Sequence, residues 1–402
     1  MRWIIIGLFF GATILNQIDR QVLSILARTI QDDLGIDDLG YAHVVQMFLI
    51  FYAVGQLASG KIADRIGTKA AIIAFLSWWS LAQLFTGFVT SARELAVARS
   101  FLAFGEAGNY TAAPKAVAEW FPPRERALAV GIYTSAGMLG AVVAPPLIGW
   151  IAIEHGWRSA FVWTGVAGLV WTIPFLILYR KPPLAADAPV VTPGPGGWRG
   201  LVADYRPLVR SGAVWRLFAA RMVTDPLWYF YLFWFPKYLQ DARGFDLSDV
   251  ARLGWIIYLG ADVGSILGGV FSGRLVGRGW DPVAARLRML GIVATLAPLG
   301  AILGLQPAIW ATLAVATAIA FLHLMWLTNL TATMVDVFPQ ARLGAAVGMI
   351  GAGSAIGGAI SSPLIGQLVT DYSYELVFVL LAALHPIGWL CVRGVRASPS
   401  TG

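Results

Sequence analysis

Residues 60–69 read Gly-Lys-Ile-Ala-Asp-Arg-Ile-Gly-Thr-Lys, and they join two long apolar segments near 41–61 and 69–89. The aspartate of this loop lies between two glycines and has basic side chains on both sides. A tight turn that holds a carboxylate near helix ends and cations can stabilise one conformation and release it in another. We therefore predict a conformational latch between two helices. Its residues are Gly60, Asp64, Arg65, Gly67 and Lys69.

The composition around this loop indicates a membrane protein. Of the 402 residues, 58% are hydrophobic and 13% are charged, and the mean hydropathy is +0.70. A soluble chain of this length needs more polar residues to cover its surface. A bilayer-spanning helix needs about 20 apolar residues. Segments of that kind lie near 3–28, 41–61, 69–89, 93–118, 126–152, 158–179, 214–240, 249–276, 284–304, 307–335, 342–369 and 374–394.

These segments are too long for barrel strands, which need about 10 residues and alternate in polarity. The sequence therefore predicts an all-α membrane protein with twelve transmembrane helices in two six-helix, pseudo-symmetric halves. A polar stretch rich in proline, glycine and arginine divides the halves. We predict an N-terminal half at 1–180, a cytoplasmic linker at 181–213, a C-terminal half at 214–394 and a cytoplasmic tail at 395–402.

Lysine and arginine predict the orientation of the chain. They concentrate in alternate loops, whereas the other loops are short and partly acidic, as at 31–38. Because positive loops stay in the cytoplasm, we expect a multi-pass protein of the cell inner (plasma) membrane with both termini cytoplasmic. The formal charge of +7 is then a topology signal, and we expect no nucleic-acid partner. A single cysteine, Cys391, excludes a disulfide framework and a cysteine-rich metal site.

The second half repeats parts of the first at one constant offset. Ala-Val-Gly occurs at 129–131 and again at 346–348, and Pro-Leu-Ile-Gly occurs at 146–149 and at 363–366. Glu119 corresponds in the same way to Asp336. An even number of spans in each half makes this a parallel repeat, whose substrate site is expected between the halves near the bilayer midplane.

The loop at 60–69 resembles the motif of the major facilitator superfamily, Gly-x-Leu-Ala-Asp-Arg-x-Gly-x-Lys. Its second copy departs from the pattern, with Gly277 where the aspartate would be, so we predict a one-sided latch. Further stretches resemble the anion:cation symporter family, and most of all its hexuronate (galacturonate and glucuronate) branch. They are Asn-Gln-Ile-Asp-Arg-Gln-Val-Leu-Ser at 16–24, Gly-Glu-Ala-Gly-Asn at 105–109, Lys-Ala-Val-Ala-Glu-Trp-Phe-Pro at 115–122 and Phe-Trp-Phe-Pro-Lys-Tyr-Leu at 233–239.

This resemblance implies a secondary transporter that carries a sugar-acid anion with protons by alternating access. It implies no cofactor other than the proton as coupling ion, and it implies no catalysis. The expected partners are a small organic anion and the lipid bilayer, and we expect a monomer. Two alternatives remain open: the same fold with another organic anion, such as an aldonate, a tartrate or an aromatic acid, and a non-transporting membrane sensor or membrane enzyme.

Four of the ionisable residues inside predicted spans stand out, because charge is costly there and marks function. Arg20 has a planar fork that suits a carboxylate, so we predict that it binds the substrate anion. Glu106 is predicted to carry the proton, with Arg99 on the same helix face as its partner. Asp19 is the second proton candidate, since the resemblance implies this role for the aspartate of span one. The alternatives are two static pairs, Asp19 with Arg20 and Glu106 with Arg99.

A sugar acid also needs hydrogen bonds and an aromatic surface. Polar and aromatic residues that meet this need lie in spans two, four, seven and ten. The predicted substrate-binding residues are Tyr52, Gln56, Asn109, Trp228, Tyr229, Thr328 and Asn329. Aromatic residues also accumulate at membrane interfaces for other reasons. The sequence leaves the roles of four further residues open: Lys115, Asp225, Asp262 and His323.

Overall fold

The computed structural model describes residues 1–121, 123–180, 206–338 and 340–395, and the regular elements in them are helices. The helices of the first half are α1 (Arg2–Ile25), α2 (Ala27–Leu34), α3 (Asp38–Ile66), α4 (Thr68–Thr86), α5 (Ala92–Trp120), α6 (Pro123–His155) and α7 (Trp157–Leu178). They are followed by α8 (Gly212–Phe233), α9 (Phe235–Arg243), α10 (Leu247–Leu253), α11 (Trp255–Gly277), α12 (Pro282–Leu296), a 3-10 helix (Ala297–Leu305), α13 (Ile309–Val337), α14 (Gln340–Asp371), α15 (Tyr374–Ala382) and α16 (Leu384–Val392).

Each of the twelve predicted apolar segments coincides with one helix or with an interrupted helix, and the predicted all-α membrane fold is confirmed. Within the described residues, nine helical segments are long and apolar enough to cross a membrane. The predicted spans outside this set are α1, α5 and α8, each of which carries ionisable side chains in its apolar stretch. The polar residues that lower the hydropathy of these three helices also form the candidate sites.

Short polar signals set several helix boundaries. The side chains of Asp37, Ser91 and Asp281 accept a hydrogen bond from a backbone N–H in the first turn of α3, α5 and α12. Asp246 forms a capping box with Asp249 at the start of α10. Such caps satisfy backbone donors that have no partner inside the helix.

The chain divides into two compact units. The first comprises Met1–Val191 with Leu232–Trp255, and the second comprises Thr192–Tyr231 with Ile256–Gly402. The predicted division at 1–180 and 214–394 differs from these bounds, because the segment 232–255 groups with the first unit. The end of the predicted span 214–240 and the start of the predicted span 249–276 thus belong to the first unit, and the half boundaries stay a prediction.

A buried lysine holds the segment 232–255 to the first unit. The ammonium group of Lys237, which is 4% exposed, lies 2.7 Å from the Asp38 carboxylate and also contacts Asp241. Arg28 donates to the backbone carbonyl of Gln240 at 3.0 Å. These charge-assisted bonds join α9 to α2 and to the start of α3. They account for the grouping of α9 with helices distant from it in sequence.

The sequence repeat has a structural counterpart at Glu119 and Asp336. In the first unit, Thr68 at the start of α4 donates to the Glu119 carboxylate at the end of α5 at 2.5 Å. In the second unit, Arg286 near the start of α12 donates to the Asp336 carboxylate near the end of α13 at 3.4 Å. Each carboxylate therefore ties the end of its own helix to the start of another within the same unit.

Large apolar side chains remain exposed on the outer faces of the helices. Phe85 of α4 and Ile177 of α7 are 61% and 66% exposed, and Trp310 of α13 is 66% exposed. A soluble monomer rarely exposes extensive apolar surface. An exposed apolar surface of this kind is expected where the helices contact lipid. In lipid, van der Waals packing between closely approaching helices stabilises the fold.

Close approach of α11 and α13 depends on Gly264. A Cβ atom at this position would lie 2.1 Å from the backbone carbonyl oxygen of Phe321, whereas one at Gly273 on the same helix would meet no atom within 4 Å. We expect Gly264→Ala to destabilise the protein by about 1–3 kcal/mol, since the backbone of α13 must move. Gly273→Ala should leave stability nearly unchanged. Thermal unfolding of both variants in the same detergent measures the difference, and equal midpoints would contradict the packing argument.

Candidate functional site

A polar face on α1 begins the site. Asn16, Asp19 and Arg20 lie within one turn of each other, so their side chains project from one broad side of the helix. Asp19 and Asn16 are buried, while the Arg20 side chain is 12% exposed. Because α1 is membrane-spanning, these groups must be stabilised by partners from neighbouring helices.

The partner of Arg20 is Glu106 from α5. Arg20 Nη2 and Nε donate to the same carboxylate oxygen, Glu106 Oε2, at 2.9 and 3.1 Å. The Glu106 side chain is fully buried, and its other oxygen, Oε1, accepts no hydrogen bond from the described residues. Two donors thus converge on one oxygen of a buried carboxylate. The arrangement joins α1 to α5 and leaves one acceptor available.

Two aromatic rings of α3 border the Arg20 guanidinium. Its carbon Cζ lies 4.7 Å from the centroid of Tyr52 and 5.6 Å from that of Phe48. The two rings stack on each other, with centroids 5.9 Å apart and planes inclined by 11°. A guanidinium beside aromatic faces gains a cation–π attraction, which is stronger where water is excluded. Tyr52, a predicted substrate residue, therefore lies against the predicted anion-binding group.

Arg99 does not form the predicted direct pair with Glu106. Its Nη1 donates to the backbone carbonyl of Asp19 at 3.2 Å and to Gln83 Oε1 at 3.4 Å, and its Nη2 donates to the backbone carbonyl of Arg20 at 3.4 Å. Two turns along one helix separate the two side chains, whereas α1 lies directly beside both. Arg99 acts on Glu106 through its charge without a hydrogen bond, and its predicted role as the partner of Glu106 stays a prediction. Arg99 holds the backbone of α1 at the two ionisable residues.

Asp19 occupies a separate buried position behind this pair. Neither of its carboxylate oxygens accepts a hydrogen bond from the described residues. Glu106 and Arg99 interact with it electrostatically, and the Thr164 hydroxyl and the Trp79 indole N–H are the donors that face it. The Arg20 guanidinium is directed at Glu106, so the static Asp19–Arg20 pair that the sequence left open is not formed.

Asn109 and Gln56 flank the pair on α5 and α3. Asn109 is buried and donates to Thr13 Oγ1 of α1 at 3.0 Å, while its own Oδ1 accepts no hydrogen bond from the described residues. Gln56 is half-buried one turn beyond Tyr52. The first unit therefore brings together Asp19, Arg20, Tyr52, Arg99, Glu106 and Asn109.

The four predicted substrate residues of the second half lie in the second unit. Tyr229 Oη shares a hydrogen bond with Ser354 Oγ at 3.1 Å, and Thr328 Oγ1 shares one with Ser265 Oγ at 2.7 Å. Asn329 is fully buried and donates to the carbonyl oxygens of Gly268 and Met325 at 3.1 and 2.9 Å. Its amide hydrogens are therefore committed to the backbone. Asn329 supports helix packing in this conformation, while its Oδ1 accepts no hydrogen bond from the described residues, and its role in substrate binding stays a prediction.

Two histidines meet inside the second unit. His323 Nδ1 of α13 lies 3.2 Å from His385 Nε2 of α16, and both side chains are fully buried. Trp228, the fourth predicted substrate residue of this half, stacks on the His323 ring. Asp225, whose role the sequence left open, lies in the middle of α8 and pairs with Arg221 at 2.6 Å, so it does not cap a helix. Asp262 of α11 is half-buried.

The predicted latch is described only in part. Gly60, Asp64 and Arg65 lie in the last turns of α3, but the side chains of Asp64 and Arg65 lie outside what the structure describes. Gly67 has a φ of +81°, which L residues rarely adopt, so the glycine-supported turn is present. Lys69 donates to the carbonyl of Leu176 at 2.9 Å, and Lys115 donates to that of Ala63 at 2.8 Å. The latch function stays a prediction.

Several residues of these clusters were absent from the sequence predictions. Gln83 and Thr164 are polar groups within apolar spans and would have been found by scanning every span for buried amides and hydroxyls. Phe48 lies one turn before Tyr52, which is the spacing of a continuous helix face. For His385, the sequence offered only its position within an apolar segment, which does not by itself indicate a polar contact.

Comparison with known proteins agrees with this architecture. Residues 9–331 match the family model described as Major Facilitator Superfamily. The chain is 27% identical to the hexuronate transporter of Escherichia coli (strain K12), over 98% of this chain and 93% of that protein. It is 30% identical to a probable sulfoacetate transporter of Cupriavidus necator, over 97% of this chain and 92% of that protein.

A solved structure shows the same fold. A bacterial homolog of the human lysosomal transporter Spinster, in an inward-facing and unoccupied conformation, superposes with a TM-score of 0.79. The alignment covers 99% of each chain at 20% sequence identity. At this identity the likeness concerns the arrangement of helices, and the charges of the candidate site must be interpreted from this chain's own residues.

Proposed function

The chain belongs to the Major Facilitator Superfamily, and from this premise we propose that it is a secondary transporter that moves a sugar-acid anion, a hexuronate, together with a proton. The full-length similarity to a hexuronate transporter supports the choice of cargo. The buried charges on α1 and α5 support the coupling to protons. We further propose that the protein lies in the inner membrane with both termini cytoplasmic, as its lysine and arginine distribution indicates.

The observation that carries the proposal is the bond between Arg20 and one oxygen of buried Glu106. The Glu106 carboxylate and the carboxylate of a sugar acid compete for the same guanidinium. When a proton adds to Glu106, its negative charge is lost, and the donors of Arg20 are released for the substrate. Proton and anion then bind together because each favours the other, which is the requirement for symport.

The surroundings of Arg20 suit a sugar acid. The guanidinium provides a planar fork for the carboxylate. The ring of Tyr52 lies beside it and offers an apolar surface to the C–H groups of a pyranose. Asn109 and Gln56 add amide groups on neighbouring helices. In this proposal Arg99 acts as a positioning residue, because it binds the backbone of α1 at the two residues that handle charge.

A second cargo class follows from the sulfoacetate relative. Sulfoacetate carries a carboxylate and a sulfonate but no ring, so it needs the cation and has little use for an aromatic surface. The two cargoes therefore differ in how much they depend on Tyr52. If the protein transports sulfoacetate but no hexuronate, the proposed substrate is wrong. The proposed coupling to protons is not affected by that result.

Uptake by purified protein in liposomes tests the proposal. We expect radiolabelled galacturonate or glucuronate to accumulate when the outside is more acidic than the inside, and accumulation to collapse when a protonophore removes the gradient. Liposomes without protein provide the baseline, and sulfoacetate and a neutral hexose provide comparison substrates. Absence of any uptake for every anion tested would contradict the proposal, whereas equal uptake with and without the gradient would contradict only the coupling.

Transport also requires alternation of access. We propose that the turn at Gly67 and its neighbouring residues Asp64, Arg65 and Lys69 form a latch on one side. Lys237, bound to Asp38 and Asp241, is a candidate for a corresponding ionic contact elsewhere in the first unit. Ionic contacts of this kind can break and re-form during a transport cycle, because the net free energy that each contributes is small once the cost of desolvating its charges is included.

A further inference from the structure

The buried histidines His323 and His385 have a geometry that simple packing does not require. Their facing nitrogens are 3.2 Å apart, the ring planes are nearly perpendicular at 84°, and neither side chain is exposed. The outer nitrogens, His323 Nε2 and His385 Nδ1, have no hydrogen-bond partner among the described residues. Native interiors rarely leave buried polar atoms unpaired, so each instance calls for an explanation.

The hydrogen bond fixes the number of protons that this pair holds most readily. If His323 Nδ1 donates, His385 carries its own proton on Nδ1; if His385 Nε2 donates, His323 carries its own on Nε2. In both tautomers one outer nitrogen bears a hydrogen and the other bears a lone pair. The pair is therefore complete as two neutral rings that share one N–H···N bond, and a further proton would add a charge without a new partner.

The charged neighbours of the pair supply no spare counter-charge. Arg221 acts electrostatically on His323, and Asp225 acts electrostatically on His385. These two residues already neutralise each other through a 2.6 Å ion pair on α8. Tyr258 of α11 completes the polar surroundings, and its hydroxyl donates to the Tyr231 carbonyl. A buried charge without its own counter-ion is strongly disfavoured.

The pair lies in the middle of a row of five rings. Trp326, fully buried in the core of the second unit, meets His385 edge-on at 5.2 Å. His323 then stacks parallel to Trp228 at 5.7 Å with planes inclined by 4°, and Trp228 meets Tyr258 edge-on at 6.4 Å. The row connects a rigid core side chain to Trp228, which is only half-buried. Ring contacts of these geometries are favourable beyond their area.

We propose that His323 and His385 form a neutral, hydrogen-bonded pair that fixes the ring plane of Trp228 and thereby determines how tightly the transporter receives the sugar ring of its substrate. The pair is a positioning device and carries no transported proton, which gives a role to His323, whose role the sequence left open. The proposal rests on the proposed function for the part that concerns the sugar ring.

A double-mutant cycle tests the link to substrate. In His385→Phe the edge contact with Trp326 is retained and the N–H···N bond is lost. We expect galacturonate binding to weaken by about 2- to 10-fold, the range that corresponds to loss of one aromatic-pair contact. In a Trp228→Ala background the same change should have no further effect, because Trp228 is the group that the pair positions. The pH profile of uptake should match that of the wild type.

Two outcomes of this cycle would overturn the proposal. Additive effects of His385→Phe and Trp228→Ala would show that the pair acts independently of Trp228. A shifted pH profile or a changed proton-to-substrate ratio in His385→Phe would show that the pair transfers protons. Replacement of His43, which is exposed on α3, provides the matched control and should leave binding, pH profile and stability unchanged.

Nuclear magnetic resonance separates this proposal from the proposed function, since it needs no substrate. The chain has 4 histidines, so His43→Gln with His155→Gln leaves only the pair visible in ¹⁵N-histidine-labelled protein. We expect neutral-ring shifts with an N–N coupling across the hydrogen bond from pH 5 to 8, and a single sharp 5-fluorotryptophan signal for Trp228 that broadens in His385→Phe. Protonation of either ring in this pH range, or an unchanged Trp228 signal, would refute the proposal whatever the cargo is.

Discussion

Replacement of Arg20 by alanine is expected to abolish hexuronate uptake and to weaken binding by about 10- to 150-fold, because hydrogen bonds to charged groups contribute about 1.5–3 kcal/mol. The change removes the only guanidinium that contacts Glu106 through hydrogen bonds among the described residues. Arg20→Lys keeps the charge but loses the fork, so we expect intermediate binding. Binding measured calorimetrically, and uptake measured in liposomes, report the two effects separately.

Loss of Arg20 also leaves a buried carboxylate without its partner, which destabilises the protein by about 3–5 kcal/mol when the carboxylate stays charged. The variant Arg20→Ala with Glu106→Gln separates this effect from binding, since it removes both charges. We expect it to recover thermal stability without recovering binding. Arg158→Ala is the matched control, because Arg158 forms an exposed ion pair with Asp33 in the same unit, worth about 0–1 kcal/mol. Full binding by Arg20→Ala would contradict its role.

Replacement of Glu106 by glutamine is expected to uncouple transport from the proton gradient. Glutamine imitates the size and the neutral charge of the protonated acid, so Arg20 stays available to the anion in every state. Accumulation driven by a pH gradient should be lost, while exchange of labelled for unlabelled substrate should persist. In the wild type, lower pH should tighten substrate binding, because protonation of Glu106 relieves its competition for Arg20; in Glu106→Gln this dependence should vanish.

Glu94→Gln provides the control on the same helix. Glu94 is exposed in the first turn of α5, where it accepts hydrogen bonds from Thr90. Its replacement should lower stability slightly through the helix dipole and leave coupling intact. Gradient-driven accumulation that survives Glu106→Gln unchanged would show that another group, with Asp19 as the first candidate, carries the proton. Loss of both accumulation and exchange would show that Glu106 is needed for the conformational cycle itself.

The identities of the charged site residues could be predicted from the sequence, but their pairing could not. Helical periodicity places Arg99 on the same face as Glu106, two turns or about 10.5 Å away. That distance along one helix exceeds a hydrogen bond. The contact between Arg20 and Glu106, which are 86 positions apart in the chain, depends instead on the approach of α1 to α5. No pattern within either helix contains that information.

The second half shows the same limit in a different form. Asn329 in an apolar span suggested a ligand for a hydroxyl, but its amide bonds two backbone carbonyls in the packed unit. A polar side chain in a membrane helix has to satisfy its hydrogen bonds with whatever lies beside it, and that can be substrate or backbone. His385 was not predicted at all, because a lone histidine before a proline has no distinctive pattern.

The sequence by itself determined that this protein is a twelve-span, all-α membrane protein of one superfamily, and which spans carry charge. These properties depend on the local sequence alone. About 20 apolar residues cross a bilayer, and an ionisable residue among them is conspicuous because its transfer into lipid is energetically unfavourable. Only the tertiary structure decided that Arg20, not Arg99, binds Glu106, and that His323 meets His385 beneath Trp228. Hydrogen bonds act over about 3 Å, so partners on different helices are chosen by how the helices pack.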